Sequence, residues 1–296
     1  MTTSGKAPAI GRFGPAAMLI ALVVNVMFAL NVIAMKVVVD ATAPLLSVAL
    51  RMAFVFLICA PAFRFVPGRN RALAVYGLLN GGLFLLLLNC ALFLATNVGA
   101  LAIAGQLSVP FSLLLGALIF RERLSSWKIA GVILAFAGVA MLVFDPHILG
   151  EIPAVLVMAC AALIWGGATL IQRRLAGISV MNIQAWNGLM GAAVLAPFAL
   201  MFERGAMMRL VHVGWVPIAW FTFTCLGSTI MGQGALAWLL QRHPISTVMP
   251  LMLASPVMAT VFASLYFATP ITVVMVAGGT LALVGVTIIA LARDRS

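Results

Sequence analysis

The sequence predicts an all-α integral membrane protein, ten transmembrane helices arranged as two inverted five-helix repeats. Three observations carry this. The 296 residues are 65% hydrophobic and only 8% charged, with a mean hydropathy of +1.21, whereas a soluble domain carries roughly 25% charged residues. Ten apolar stretches reach the ~20 residues that a helix needs to cross a ~30 Å hydrocarbon layer. The two halves share marker residues at offsets of 137, 146 and 147 positions.

The first stretch, 16–38, follows Lys6 and Arg12. It exceeds the roughly 7–15 apolar residues of a signal peptide and lacks a clear cleavage site, so it is read as a retained helix. The second, 44–63, encloses Arg51, and the third, 72–95, holds Asn80 and Asn89. The fourth, 99–120, carries Gln106, Ser108, Pro110 and Ser112. A charged turn with Arg121, Glu122, Arg123 and Lys128 separates it from the fifth, 126–144, whose start Ser125 or Ser126 can cap. The sixth, 153–173, contains Trp165, Thr169 and Gln172; the seventh, 181–202, is interrupted by Pro197. The eighth, 214–240, holds Ser228, Gln233 and Trp238. Pro250 and Pro256 interrupt the ninth, 246–267, and the tenth is 271–292. The chain divides into a tail 1–15, a first repeat 16–144, a linker 145–152, a second repeat 153–292 and a tail 293–296.

Orientation follows from Lys and Arg, which favour cytoplasmic loops. With the amino terminus inside, thirteen of the seventeen basic residues fall on the cytoplasmic side. Arg204 and Arg209 fall outside, and Lys36 and Arg51 lie within spans. An odd number of crossings would scramble this split, so both termini are expected in the cytoplasm. The formal charge of +11 is scattered among short loops and forms no nucleic-acid footprint.

The internal repeat is visible by eye. Phe28-Ala29-Leu30-Asn31 with Lys36 parallels Trp165-Gly166-Gly167-Ala168 with Arg173; Pro110 parallels Pro256, and Gly131 and Gly138 parallel Gly278 and Gly285. Five spans per repeat reverse the second half relative to the first, and such inverted repeats place a substrate site near the midplane.

Pro110, the run Phe120-Arg121-Glu122-Arg123-Leu124-Ser125, Lys128, Gly131 and Gly138 together resemble the end of a repeat in the EamA-type branch of the drug/metabolite transporter superfamily. The resemblance spans nearly the whole chain. It implies a bacterial inner-membrane exporter of small metabolites such as amino acids, with helices one, three, four, six, eight and nine around a central cavity and the fifth and tenth peripheral. It also puts Phe28 and Trp165 at the usual tryptophan position and Asn31 at a usual asparagine. The second repeat departs from the pattern, reading Tyr266-Phe267-Ala268-Thr269-Pro270 where an acidic turn is common.

None of the six acids (Asp40, Glu122, Asp145, Glu151, Glu203, Asp294) lies within a span, and His147, His212 and His243 are in loops. Intramembrane carboxylates are the usual proton carriers, so facilitated diffusion or exchange is expected over carboxylate-coupled antiport. An intramembrane serine hydrolase lacks a base for Ser228, and metal-dependent transfer lacks an acidic cluster. The four cysteines, Cys59, Cys90, Cys160 and Cys225, lie in apolar runs without metal spacing. No cofactor and no metal are expected.

The expected cavity residues are Phe28, Asn31, Asn89, Gln106, Trp165, Thr169, Gln233 and Trp238. Neutral amides can bond both the ammonium and the carboxylate of an amino acid. Lys36 has Asp40 four residues on and suits snorkelling to the interface. Two roles are open to Arg51, a structural one on neighbouring carbonyls and an electrostatic one beside an anionic or zwitterionic ligand. Pro110 and Pro256 are static kinks or bending points for gating. The small-residue patterns Gly131-xxx-Ala135 and Gly278-xxx-Ala282 suit close packing within one chain or between two copies, so monomer and homodimer both stand. A multidrug or nucleotide-sugar carrier is the alternative within transport.

Overall fold

The computed structural model describes residues 14–121, 124–145, 150–243 and 245–292. Glu122, Arg123, His147, both chain ends and residues 146–149 of the 145–152 linker lie outside the described residues. Within them the chain is helical, without strands. Among the described residues, nine helices are long and apolar enough to cross a membrane: α1 (Pro15–Ala41), α2 (Pro44–Ala62), α3 (Asn70–Leu94), α4 (Val98–Phe120), α5 (Ser126–Val143), α6 (Ile152–Arg173), α7 (Val180–Phe202), α8 (Trp215–Leu240) and α10 (Val273–Leu291). The remaining expected span, α9, forms two pieces, Ile245–Met252 and Ala254–Phe267, interrupted at Leu253.

Proline chemistry permits that interruption. Pro256 has no N–H for the carbonyl of Met252, and a helical proline ring collides with that carbonyl. Its repeat counterpart Pro110 stands in the same relation to Gln106. There the chain tightens into a 3-10 turn over Gly105–Leu107 without breaking.

The packing obeys an exchange rule. α2 lies along α7 and α5 along α10, while α1 packs on α8 and α9 and α6 packs on α3 and α4. Exchanging the first five helices with the last five in order maps this set of pairs onto itself, the behaviour of two halves related by a two-fold axis. Local geometry repeats as well. α3 and α8 both contain wide π-type turns, Leu78–Phe84 and Phe223–Gly232. Ser125 caps α5 by accepting from Lys128 N, and Thr272 caps α10 by accepting from Met275 N.

Small residues make the tight interfaces, as expected where lipid supplies no hydrophobic drive between helices. At the α5–α10 seam a Cβ on Gly138 would lie 2.4 Å from Gly278 O, and one on Gly285 2.5 Å from Gly131 O. The glycine patterns of α5 and α10 are therefore engaged within the chain. Large apolar side chains face outward, with Leu118 76% and Val273 84% exposed, as a lipid-facing surface requires.

The two faces differ in charge. One carries Arg64, Arg69, Arg121, Lys128 and Arg173; here Asn182 of α7 accepts from Arg64 N and donates to Arg64 O, and Arg69 donates to Ala176 O. The other carries Asp145, Glu151 and Glu203 as ties at helix starts. Glu203 accepts from Leu45 N at 3.0 Å and Leu46 N at 2.7 Å at the start of α2. Glu151 accepts from Thr96 N and Asn97 N, both at 3.0 Å, at the start of α4, and also from the Thr96 hydroxyl. Thr272 at the start of α10 donates to Asp145. Unpaired amides at a helix start favour such anionic acceptors.

Candidate functional site

Helices α1, α2, α3, α6, α7 and α8 enclose a cavity of ≈ 200 Å³ at mid-depth. Its polar wall comprises Asn31, Arg51, Asn80, Gln184, Asn187, Ser228, Thr229 and Gln233, and its apolar wall includes Trp165, Phe84 and Met35. Arg51 is seven residues into α2 from Pro44, about 10 Å of helical rise. Its Nη2 donates to Thr229 Oγ1 at 3.0 Å, and that hydroxyl donates to Thr224 O at 2.7 Å. The wide turns of α8 bring Thr224 and Thr229, five residues apart, into this contact. Asn187 Nδ2 donates to Gln184 Oε1 at 2.8 Å, and the Trp165 and Phe84 ring centroids are 4.6 Å apart.

Of the expected residues, the fold brings Asn31, Trp165, Gln233 and Arg51 to this one space. Phe28 packs its ring on Gly232, the residue before Gln233. Thr169 lies toward the basic face in a larger cavity of ≈ 560 Å³ that includes Ser112, Lys128 and Arg173. Its hydroxyl is 2.9 Å from that of Ser112 and donates to Gly166 O. Trp165 borders both cavities.

The others are placed apart. Gln106 and Pro256 border an apolar space of ≈ 180 Å³ between α4, α9 and α10. Asn89 is buried, accepting from Ser47 Oγ at 3.1 Å and donating to Leu85 O, a tie between α3 and α2. Trp238 lies beneath the Arg242 guanidinium, 4.2 Å from ring centroid to guanidinium carbon. Lys36 pairs with Asp40 at 2.8 Å. Pro110 is buried in α4 next to its 3-10 turn.

Gln184, Asn187 and Thr229 are cavity residues that the sequence reading does not single out, and Asn80 and Ser228 are ones it notes without assigning. Gln184 and Asn187 stand three apart, on one helical face. That spacing is the signal that finds them.

A membrane protein of two inverted halves around a polar space at mid-depth has the architecture of a carrier. The chain belongs to the EamA-like transporter family, which residues 15–144 and 152–291 each match. It is a membrane transporter and not an enzyme. It is 28% identical over 282 residues to a protein named probable amino-acid metabolite efflux pump in Salmonella typhimurium, covering 91% of this chain and 93% of that one. The protein of the same name in Escherichia coli is 28% identical over 281 residues, with the same coverage. An uncharacterized transporter of Archaeoglobus fulgidus is 28% identical over 194 residues, 64% of this chain and 67% of that one. A solved crystal structure at 20% identity superposes with a TM-score of 0.60 over 92% of this chain and 95% of that chain, a likeness of fold.

Proposed function

We propose that the protein exports small polar metabolites, above all amino acids, from the bacterial cytoplasm by alternating access of the mid-depth cavity to the two sides of the inner membrane. In this reading both termini and the basic face are cytoplasmic, in line with the Lys and Arg bias. The observation that carries the proposal is the polar wall of the cavity: amides, hydroxyls and one guanidinium, with no carboxylate among the described residues that line it. A drug carrier would call for a mainly apolar space and a nucleotide-sugar carrier for several cations. The names of the Salmonella and Escherichia relatives point the same way.

The test is counterflow in proteoliposomes with a panel of labelled amino acids, with and without a pH gradient. Amino-acid exchange that continues without the gradient is the expected result. Movement of drugs or sugar nucleotides with no amino acid moving would overturn the substrate, and strict dependence on the gradient would overturn the exchange mechanism.

A further inference from the structure

Four side chains lining the mid-depth cavity have buried polar atoms that find no hydrogen-bond partner among the described residues: Asn31 Oδ1, Asn80 Oδ1, Asn187 Oδ1, and Arg51 through both Nε and Nη1. Buried polar groups are ordinarily paired, and an uncompensated buried cation is among the costliest groups a membrane protein can hold. Their convergence on one space distinguishes them from scattered packing defects.

Arg51 is held in place, because Nη2 is engaged by Thr229 and Thr229 by the carbonyl of Thr224. Its other donors are thus fixed in direction and still open. The described acids are engaged elsewhere: Asp40 with Lys36, and Asp145, Glu151 and Glu203 at helix starts on the acidic face. The counter-charge that Arg51 calls for is an anion able to accept from a planar fork of N–H groups, and a carboxylate does this through charge-assisted bonds. The three asparagines offer the complementary half. A neutral amide presents a carbonyl oxygen or, after a half-turn, its NH2 group, so it can accept from an ammonium without adding a charge that competes for Arg51.

We propose that Arg51 holds the carboxylate of the transported molecule and that Asn31, Asn80 and Asn187 receive its ammonium group. The site then selects zwitterionic α-amino acids over simple amines and over acids lacking the amino group. This inference rests on the amino-acid reading above and specifies how that substrate is recognised.

The full-length protein in proteoliposomes tests it, with binding read by tryptophan fluorescence and movement by counterflow. The probes are L-leucine, L-leucinamide and 4-methylpentanoate, with L-serine, L-serinamide and 3-hydroxypropanoate as a polar set. The wild-type protein is expected to bind at least one of the two amino acids. Its carboxamide and its des-amino acid should each bind at least about tenfold more weakly, the scale of one lost charge-assisted contact. Arg51→Gln should weaken the free amino acid by roughly tenfold to a hundredfold and leave the carboxamide unchanged, with Arg51→Lys in between. Asn80→Leu should weaken the amino acid and leave the des-amino acid unchanged.

An equal loss for amino acid and carboxamide in Arg51→Gln, or no loss for either, overturns the assignment while wild-type amino-acid counterflow keeps the broader function. Absence of amino-acid binding in the wild type overturns the zwitterion site. If the des-amino acid then binds and depends on Arg51, the carboxylate contact survives and the amino-acid reading falls. Arg51→Lys, which retains the charge, guards against reading a misfolded Arg51→Gln as a specific loss.

Discussion

Arg121 and Ala268, 147 positions apart, end equivalent helices in the same left-handed turn, at φ 54, ψ 34 and φ 53, ψ 34. The charged sequence around Arg121 has no counterpart around Ala268, yet both helix-end residues take the same left-handed conformation. The turn is therefore a property of the helix end, and its charge is separable from its shape.

Glycine is the residue best suited to that conformation. Ala268→Gly should raise stability by up to about 1 kcal/mol, the left-handed penalty of ~1–2 kcal/mol being partly offset by glycine's freedom in the unfolded chain. Ala268→Val should lower it. Thermal unfolding in detergent checks both, and a glycine variant that melts below the parent protein would contradict the strain argument.

The acids of the acidic face hold helix starts. Glu151→Ala removes the acceptor of Thr96 N and Asn97 N and is expected to cost roughly 1–3 kcal/mol. Glu203→Ala, which frees Leu45 N and Leu46 N, should behave alike. In both, the protein that remains folded should bind amino acids with unchanged affinity. A selective loss of affinity in either would place that acid in the transport path.

The α5–α10 seam leaves no room for a methyl group. Gly138→Ala, whose Cβ would lie 2.4 Å from Gly278 O, should destabilise by roughly 1–3 kcal/mol or more. Gly234→Ala meets nothing within 4 Å and should be neutral or stabilising by up to about 1 kcal/mol, since alanine is the better helix former. Equal melting temperatures for the two variants would show the seam to be looser than described.

Trp165 separates the mid-depth cavity from the larger one toward the basic face. Trp165→Phe preserves an aromatic contact with Phe84 and should retain most counterflow. Trp165→Ala, which joins the two spaces, should reduce it several-fold with membrane insertion intact. Unaltered kinetics in Trp165→Ala would remove this residue from the pathway.

Much of the fold is legible in the sequence because lipid leaves few options. A spanning segment must be a long apolar helix, so the composition alone marks the spans. The break at Leu253 is not legible, since Pro110 and Pro256 look alike in sequence and only packing decides that one tightens a helix and the other interrupts it. In the site, Arg51 stands out because charge inside a span is rare. Gln184 and Asn187 are hidden by a family expectation that draws the cavity from other helices and leaves α7 outside. Asn89 illustrates the opposite difficulty: a buried amide on a cavity helix looks the same from the sequence whether it faces the cavity or, as here, Ser47.

The wide turns of α3 and α8 set the phase of the helix that follows each of them. Residues 78–84 moved on by 147 positions become 225–231, which falls inside the wide segment Phe223–Gly232. A surplus residue in a helix rotates everything after it by about 100°, so it sets which side chains of Leu85–Leu94 and of Gln233–Leu240 turn toward their neighbours. The two halves thus keep a common phase beyond their wide turns, and deleting the surplus residue from one of them alone would put the halves out of phase.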